Sequence, residues 1–204
     1  MLFDDTYRTI VNRSEGIYKE KGSKFISIAL PVKEENEVKS ALEQLRKEYY
    51  DARHHCYAYT IGFDKSSWRT NDDGEPSGTA GRPIQGQIQS HDLTNVLIVV
   101  VRYFGGIKLG VSGLINAYKT ATADALSNAD IIERTVDEIY ELRFNYQAMN
   151  EIMKIVKDDG LQLLNTQFDL ECNLSYRIRK RDADRVNEKF RKTHGSKVIY
   201  LRSE

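Results

Sequence analysis

The chain has 204 residues, enough for one domain or two small ones, and its 30 lysine and arginine residues balance 30 aspartate and glutamate residues. Because the charges cancel, no global field attracts the protein to nucleic acid or membranes, and any polyanion site must be a local patch. No apolar run approaches a membrane span, the first residues do not resemble a signal peptide, and two cysteines are too few for a disulfide scaffold, so we expect a cytoplasmic protein with reduced thiols.

The first half of the sequence alternates between strand-like and helical patterns. A hairpin is predicted where Gly22 separates two strand-like runs, because glycine supplies the backbone conformation that a short turn needs. A charged amphipathic stripe predicts a helix, and a run rich in tyrosine and β-branched residues predicts a further strand. In chain order the predicted elements are strands over 15–20 and 24–31, a helix over 33–50, a strand over 55–62, a loop over 66–81 and a short helix over 83–89.

The most informative stretch is a strand, a loop and a helix over residues 95–118. Val96 to Val101 is an unbroken apolar run, typical of a strand covered on both faces, and helical spacing begins near Leu114. The loop between them carries two cations, Arg102 and Lys108. Glycine allows close approach to backbone amides, and a helix N-terminus presents unpaired N–H groups, so the loop is predicted to bind an anion. Its glycines are Gly105, Gly106, Gly110 and Gly113.

This glycine loop does not match the standard nucleotide-binding motifs. The Walker A pattern needs Lys and then Ser or Thr after its second glycine, where this chain has Val111 and Ser112. The dinucleotide pattern Gly-x-Gly-x-x-Gly is not found in the loop either. No cofactor is therefore predicted, and Ser112 is predicted to be the N-cap of the following helix. The alternative is a tight strand-to-helix turn whose glycines serve packing alone.

A second cluster of polar residues lies within residues 69–83. Asp72, Asp73 and Glu75 occur in a segment too rich in glycine and proline for regular structure. Their spacing does not fit a calcium loop, and ordinary turn chemistry is an alternative explanation. Because loops often carry sites, we expect this acidic loop to form the second half of the anion site. The cations expected beside it are Arg69 and Arg82.

Two histidines and a cysteine begin the strand of residues 55–62. Alternation along a strand places His54 and Cys56 on one face and His55 on the other. Residues two apart on a strand lie too far apart for a nucleophile and its base, and the other His and Cys residues are not at zinc-ligand spacing. No metal site is therefore predicted. Both histidines are interpreted as hydrogen-bonded strand residues, with His54 placed to contact a phosphate.

The pattern after about residue 135 is βαββαβ, the order of a ferredoxin-like unit. We therefore predict an α+β protein of two abutting domains, residues 1–135 and residues 136–204. The predicted elements of the second domain are strands over 136–144, 161–168, 170–178 and 197–201 and helices over 147–157 and 182–193.

The second domain also has a local excess of basic residues, which we name the basic strip. Few acidic residues oppose these cations in the sequence, so a basic surface is predicted there. Such a surface either contacts nucleic acid or is simply a solvated helix face. The strip consists of Arg177, Arg179, Lys180, Arg181 and Arg185.

Four stretches of the first domain resemble a bacterial member of the YigZ/IMPACT family. They are Lys21–Ile26, Ala52–Tyr59, Arg69–Ile84 and Val99–Tyr118, and together they span nearly all of that domain. The resemblance implies an N-terminal two-layer α/β domain similar to domain IV of elongation factor G, and a ferredoxin-like domain similar to domain V of that factor. The family usually has glycine where this chain has Ser112, so a left-handed backbone is not expected there.

The resemblance says little about chemistry. Eukaryotic relatives act in translational control through a protein partner, a role that belongs to a differently built protein and is not transferred to this chain. Bacterial members are regarded as nucleic-acid binders. We therefore predict a non-catalytic protein that contacts the phosphate backbone of RNA or the ribosome and has a role in translation regulation.

Two alternatives remain open at this stage. The first is an enzyme acting on a small phosphorylated or nucleotide ligand, with a carboxylate of the acidic loop as base or magnesium ligand. The second is a protein-interaction module without an anion site.

Overall fold

The computed structural model describes residues 5–169 and 171–204. Within these residues the chain forms eleven strands and five α-helices, with a single 3-10 turn before the fourth helix. The strands are β1 (Thr6–Ile10), β2 (Ser14–Glu20), β3 (Ser23–Pro31), β4 (His54–Ile61), β5 (Ser67–Asn71), β6 (Val96–Tyr103), β7 (Ile131–Thr135), β8 (Asp137–Asn145), β9 (Gln162–Phe168), β10 (Glu171–Arg179) and β11 (Lys197–Ser203). The helices are α1 (Glu35–Glu48), α2 (Gly81–Ser90), α3 (Gly110–Ser127), α4 (Met149–Asp158) and α5 (Lys180–Lys192).

The described chain divides into two compact units. The first spans Tyr7–Arg134, and the second consists of Thr135–Glu204 together with Asp5 and Thr6. The division falls beside the boundary expected from the sequence, but the N-terminal residues Asp5 and Thr6 belong to the second unit. Their assignment follows from a backbone hydrogen bond in which Val136 N–H donates to the Asp5 carbonyl over 2.7 Å.

The first unit is built on a five-stranded antiparallel sheet in the order β2-β3-β6-β4-β5. Helix α1 covers one face, where Val38 and Leu45 pack against the sheet. Helices α2 and α3 cover the other face, where Ile84 and Tyr118 enter a separate core. Because helices cover both faces of the sheet, the first unit has two hydrophobic cores, one on each face.

Strand β6 lies at the centre of this sheet and is covered on both faces, as its unbroken apolar run predicts. Val96, Ile98 and Val100 pack in the core beneath α2 and α3. Leu97, Val99 and Val101 pack in the core beneath α1. Alternation then places the next residue, Arg102, on the α2 and α3 face. The apolar strand therefore delivers a cation to the end of the sheet on that face.

Three short strands were not predicted. Strand β5 lies within the segment expected to be a loop and pairs with β4 at the edge of the sheet. Strands β1 and β7 form a separate two-stranded sheet. Each of these strands has five residues, too few to establish a two-residue period against polar neighbours.

The second unit has the predicted ferredoxin-like architecture. Its elements follow the order β8-α4-β9-β10-α5-β11, and its antiparallel sheet has the order β11-β8-β10-β9. Leu142 and Leu174 on the sheet meet Ile152 of α4 and Phe190 of α5 in one core. Leu170, where the third strand was predicted to begin, lies outside the described residues.

In the part of the chain that the structure describes, no helix is both long and apolar enough to span a bilayer.

Candidate anion-binding site

A cavity of about 440 Å³ lies at the end of the first unit's sheet, on the α2 and α3 face. It collects residues from the start of β4, the end of β6, the acidic loop, the glycine loop and the first turns of α3. The two segments that the sequence predicts to form one site are therefore neighbours in space. The cavity is lined by Arg53, His54, Glu75, Pro76, Arg102, Phe104, Lys108, Leu109, Gly110, Val111 and Leu114.

Arg102 and Glu75 form the floor of this cavity. Arg102 Nη1 lies 2.6 Å from Glu75 Oε1, and the two side chains are only 7% and 4% exposed. The guanidinium carbon of Arg102 lies 5.4 Å from the ring centroid of Phe25 and 5.5 Å from that of Phe104. A buried ion pair needs such further contacts to offset the loss of water, and the two rings supply them for a cation.

Two further buried groups fix the position of Glu75. The Tyr118 hydroxyl donates a hydrogen bond to Glu75 Oε1 over 2.8 Å. Cys56 Sγ lies 3.3 Å from the Tyr118 oxygen and 3.0 Å from the Asp72 carbonyl oxygen. Burial raises the pKa of Cys56 to about 12 and raises the pKa of Tyr118 as well, so both groups remain protonated at neutral pH. The Glu75 oxygen that faces Arg102 is thus fully engaged by the protein itself.

The N-terminus of α3 opens into the cavity. The helix begins at Gly110, and no described side chain accepts a hydrogen bond from the N–H groups of its first turn. Gly106 and Gly110 have φ values of +88° and +72°, and a Cβ at either position would meet nothing within 4 Å. The backbone conformation therefore requires glycine at both positions. The open space beside them leaves the first amides of α3 accessible.

Gly105 has a different reason to be glycine. A Cβ there would lie 2.0 Å from the Gly22 carbonyl carbon, because the glycine loop packs directly against the β2–β3 turn. Its N–H donates to Ser23 Oγ over 3.1 Å. For Gly105 the packing explanation holds, and its amide is not available to an anion.

Ser112 is not the N-cap that the sequence predicts. Helix α3 begins two residues earlier, at Gly110, so Ser112 lies within the first turn and its hydroxyl does not cap the helix. The expectation that this position is not left-handed is confirmed, because Ser112 has helical backbone geometry. The sequence pattern could not distinguish the cap from the first turn, since glycine at Gly110 conceals where helical geometry begins.

Two cations at the cavity are not neutralised by a carboxylate. Arg53 and Lys108 are exposed, and neither forms an ion pair with any residue that the structure describes. His54 Nδ1 lies 2.8 Å from the Asp73 carbonyl oxygen, which can only accept, so Nδ1 carries the hydrogen. The other ring nitrogen, Nε2, takes no part in this hydrogen bond to Asp73. Because Arg102 and Glu75 cancel each other, the cavity keeps a net positive charge.

The other carboxylates of the acidic loop have structural roles. Asp72 accepts hydrogen bonds from the N–H groups of Ala80 (3.0 Å) and Gly81 (2.8 Å) at the N-terminus of α2, and from Gly78 N–H (2.8 Å) in the turn before it. Asp73 accepts a hydrogen bond from His55 N–H over 2.7 Å. Neither side chain lines the cavity, so Glu75 alone of the three reaches it.

The predicted cations Arg69 and Arg82 do not join the cavity. Arg69 pairs across strands with Tyr59, whose ring packs beneath α1, so Arg69 lies on the opposite face of the sheet from Arg102. Arg82 is exposed on α2 beside Gly78. Both expectations assumed an irregular loop. Strand β5 instead fixes the face that Arg69 takes, and Arg82 belongs to the first turn of α2.

The face assignments at the start of β4 are confirmed. His54 and Cys56 lie on the α2 and α3 face, and His55 is buried on the α1 face. Burial lowers the pKa of His55, and the carboxylate of Asp73, whose Oδ2 lies 4.0 Å from His55 Nδ1, opposes that effect.

The basic strip of the second unit differs in kind from the cavity. Arg179 pairs with Asp5, Arg185 with the nearly buried Asp159, and Arg177 with Glu204. Arg181 is largely exposed and lies 3.4 Å from Asp182, and Lys180 is the first residue of α5. Most of the strip's charge is therefore neutralised locally, which an analysis of charge along the sequence cannot show.

Among the residues of the cavity region that sequence reasoning missed, three are charged or aromatic. Arg53 immediately precedes His54, Phe104 stands between strand β6 and the first loop glycine, and Tyr118 lies on the apolar stripe of α3. A signal existed for Phe104, because it stands at the start of a loop, and loops lie on the surface and often carry binding residues. Tyr118 gave none, since its position suits an ordinary core residue.

The fold and the cavity define a two-domain α+β protein with a cationic cavity at the end of its first sheet. A model of the Impact N-terminal domain matches residues 21–126, which include every residue that lines the cavity. The chain belongs to the IMPACT family.

Two bacterial relatives match beyond that domain. IMPACT family member YvyE of Bacillus subtilis (strain 168) is 30% identical over 183 residues, which cover 90% of this chain and 84% of the relative. IMPACT family member YigZ of Escherichia coli (strain K12) is 33% identical over 150 residues, which cover 72% of this chain and 74% of the relative. A crystal structure described as that of a hypothetical protein is also similar, with a TM-score of 0.73 and 26% identity, covering 98% of this chain and 99% of that one.

Proposed function

We propose that the first unit is a non-catalytic RNA-binding module that holds a backbone phosphate at the N-terminus of α3, on free RNA or on the ribosome. The observation that carries this proposal is the combination of uncapped α3 amides with two unneutralised cations, Arg53 and Lys108, around one cavity. Backbone N–H groups at a helix N-terminus and flanking cations are the usual donors to phosphate oxygens.

Arg102 strengthens the case for an anion. Its side chain is buried at the cavity, and its Nε has no hydrogen-bond partner among the residues that the structure describes. Burying a guanidinium is costly, so its placement here, with Glu75 to balance it, favours a role in which the rigid cation supports the site. Glu75 holds the guanidinium in place, and Arg53 and Lys108 supply the charge that attracts the ligand.

The geometry gives less support to an enzyme that uses the acidic loop. Asp72 is committed to the N-terminus of α2, and Asp73 is committed to His55 N–H. The inward oxygen of Glu75 accepts from both Arg102 and Tyr118, so it does not offer a free lone pair to a proton or a metal. A binding module needs none of these groups to react.

The test compares single substitutions on a fluorescein-labelled single-stranded RNA and on purified small ribosomal subunits. Lys108→Ala and Arg53→Ala should each weaken RNA binding about fivefold at 0.1 M salt. Each should also reduce the slope of log affinity against log salt by about 0.7, the value for one lost contact to a single strand. Lys119→Ala is the matched control, because Lys119 is exposed on α3 but does not line the cavity.

Unchanged affinity and slope in both cavity variants would overturn the site. Arg181→Ala reports on the basic strip, and we expect a smaller effect there than at Lys108. Ribosome pull-down that persists after loss of every cavity cation would favour a protein-interaction module. Stabilisation of the protein by nucleotides with magnesium, in a thermal-shift screen without RNA, would favour the enzyme.

A further inference from the structure

We infer that the cavity also takes an unstacked nucleobase on the ring of Phe104, so that the ligand is single-stranded RNA. This inference rests on the proposed phosphate site and names the class of RNA that it binds. The cavity is far larger than one phosphate group requires, and a second chemical group beside the phosphate accounts for the remaining space.

The ring of Phe104 is presented as a platform. Its side chain follows strand β6 directly and is 48% exposed, although it is a large apolar group. The guanidinium of Arg102 lies over the ring at 5.5 Å, so one face of the ring is held by the protein. An aromatic ring that is supported on one face and open on the other is suited to base stacking, which tolerates any base.

The walls of the cavity are apolar around this ring. Leu109 and Leu114 are nearly buried, while Val111 is 60% exposed at the start of α3. A phosphate alone gains nothing from apolar walls, whereas a base gains from removing its faces from water. The cationic and apolar parts of one cavity therefore match the two parts of a nucleotide.

This arrangement excludes a regular duplex as the preferred ligand. In a duplex the bases are stacked on each other, and a protein must separate them before a ring such as Phe104 can stack on one. A single strand presents an unstacked base and its phosphate without that cost.

The experiment measures binding of three RNAs of equal length to the full chain. One is a single strand carrying 2-aminopurine, one is the matching duplex, and one is a strand with abasic sites that keeps every phosphate. We expect the single strand to bind about tenfold more tightly than the other two, and its 2-aminopurine fluorescence to be quenched on binding.

Variants at the platform complete the design. Phe104→Leu should weaken the single strand about tenfold, remove the quenching and leave the abasic strand unchanged, while Phe104→Trp should retain both effects. Tyr50→Leu is the matched control, since Tyr50 is 84% exposed and does not line the cavity. Thermal melting checks that each variant is folded.

The outcomes separate this inference from the proposed function. If the abasic strand or the duplex binds as tightly as the single strand, and Lys108→Ala weakens all three, the base platform is wrong and the phosphate site stands. If Phe104→Leu binds and quenches like the parent, the platform is wrong as well. If none of the three RNAs binds, both the inference and the proposed function fail.

Discussion

Helices α2 and α3 pack on the same face of the first unit's sheet, but their N-termini differ. The carboxylate of Asp72 accepts from two backbone N–H groups at the start of α2 and from a third in the turn before it. Among the described residues, no side chain accepts from the first N–H groups of α3, and Glu75 of the same loop pairs instead with Arg102. Where only stability is needed the chain supplies its own anion, so the uncapped helix is the one available to an external anion.

The contrast extends to the cations. Those of the basic strip are mostly paired with carboxylates, whereas Lys108 and Arg53 at the open helix end are not paired with any described residue. A run of charge in the sequence is therefore a weaker indication of binding than two cations that the fold leaves without partners. Four experiments test this comparison, from the largest expected effect to the smallest.

Removing the carboxylate that supports the open end should have the largest effect. Glu75→Ala leaves Arg102 buried without its partner and should lower the free energy of unfolding of the first unit by about 3–5 kcal/mol. Urea denaturation measures the change. Glu43→Ala, which removes an exposed carboxylate of α1, is the control. A loss below about 1 kcal/mol would mean that the ion pair is not essential to the floor of the cavity.

Removing the carboxylate that closes α2 should cost less but still be clear. Asp72→Ala leaves three N–H groups without their acceptor and should destabilise the unit by about 2 kcal/mol, the upper end for a lost cap. The same denaturation assay applies. Asp130→Ala should have little effect, because its side chain is exposed. If Asp72→Ala were as stable as Asp130→Ala, Asp72 would not stabilise the N-terminus of α2, and the contrast between the two helix ends would be lost.

Acidification should weaken the strand that anchors the acidic loop. Burial lowers the pKa of His55 from its ordinary value of 6.5, so the folded chain binds this proton less readily than the unfolded chain. The associated stability is therefore present above pH 6.5 and is lost as the pH falls toward the lower folded value. The melting temperature should drop between pH 7.5 and pH 5.5, and His55→Gln should reduce that drop. An unchanged drop in this variant would assign it to other groups.

The smallest change in stability is expected when α3 is given a carboxylate at its N-terminus, as α2 already has. Ser112→Glu places a carboxylate in the first turn of α3 and should stabilise the unit by about 0.5 kcal/mol. The same charge should weaken RNA binding at least fivefold, since it competes with phosphate for the helix end. Ser112→Gln is the uncharged control. A variant that is more stable yet binds RNA normally would place the anion elsewhere.

Much of the fold follows from the sequence because its patterns are long. The apolar run of β6, the glycine loop and the βαββαβ order each extend over enough residues to define a period. The proximity of the acidic loop to the glycine loop could also be predicted, since both carry unusual density of turn and charged residues. Short strands such as β5 could not, because five residues carry too little pattern.

The roles of individual side chains were the least predictable part. Asp72 and Glu75 stand three residues apart in one loop, yet one caps a helix and the other binds a buried arginine. Arg69 lies on the far face of the sheet, because the strand pairing that decides its direction depends on contacts distant in sequence. Composition shows that charges are present, but only packing shows which of them are already satisfied.

The contact between Gly22 and Gly105 has a mechanical consequence. Two peptide backbones touch there with no room for a side chain, and the Gly105 amide is hydrogen-bonded to the buried Ser23 hydroxyl. The tip of the β2–β3 hairpin and the loop before α3 are therefore joined by direct backbone contact, although more than eighty residues separate them in the chain. Hydrogen exchange at the Gly105 amide should therefore be slow and should report the opening of the hairpin. A change that displaces the hairpin tip should displace the loop before α3 as well.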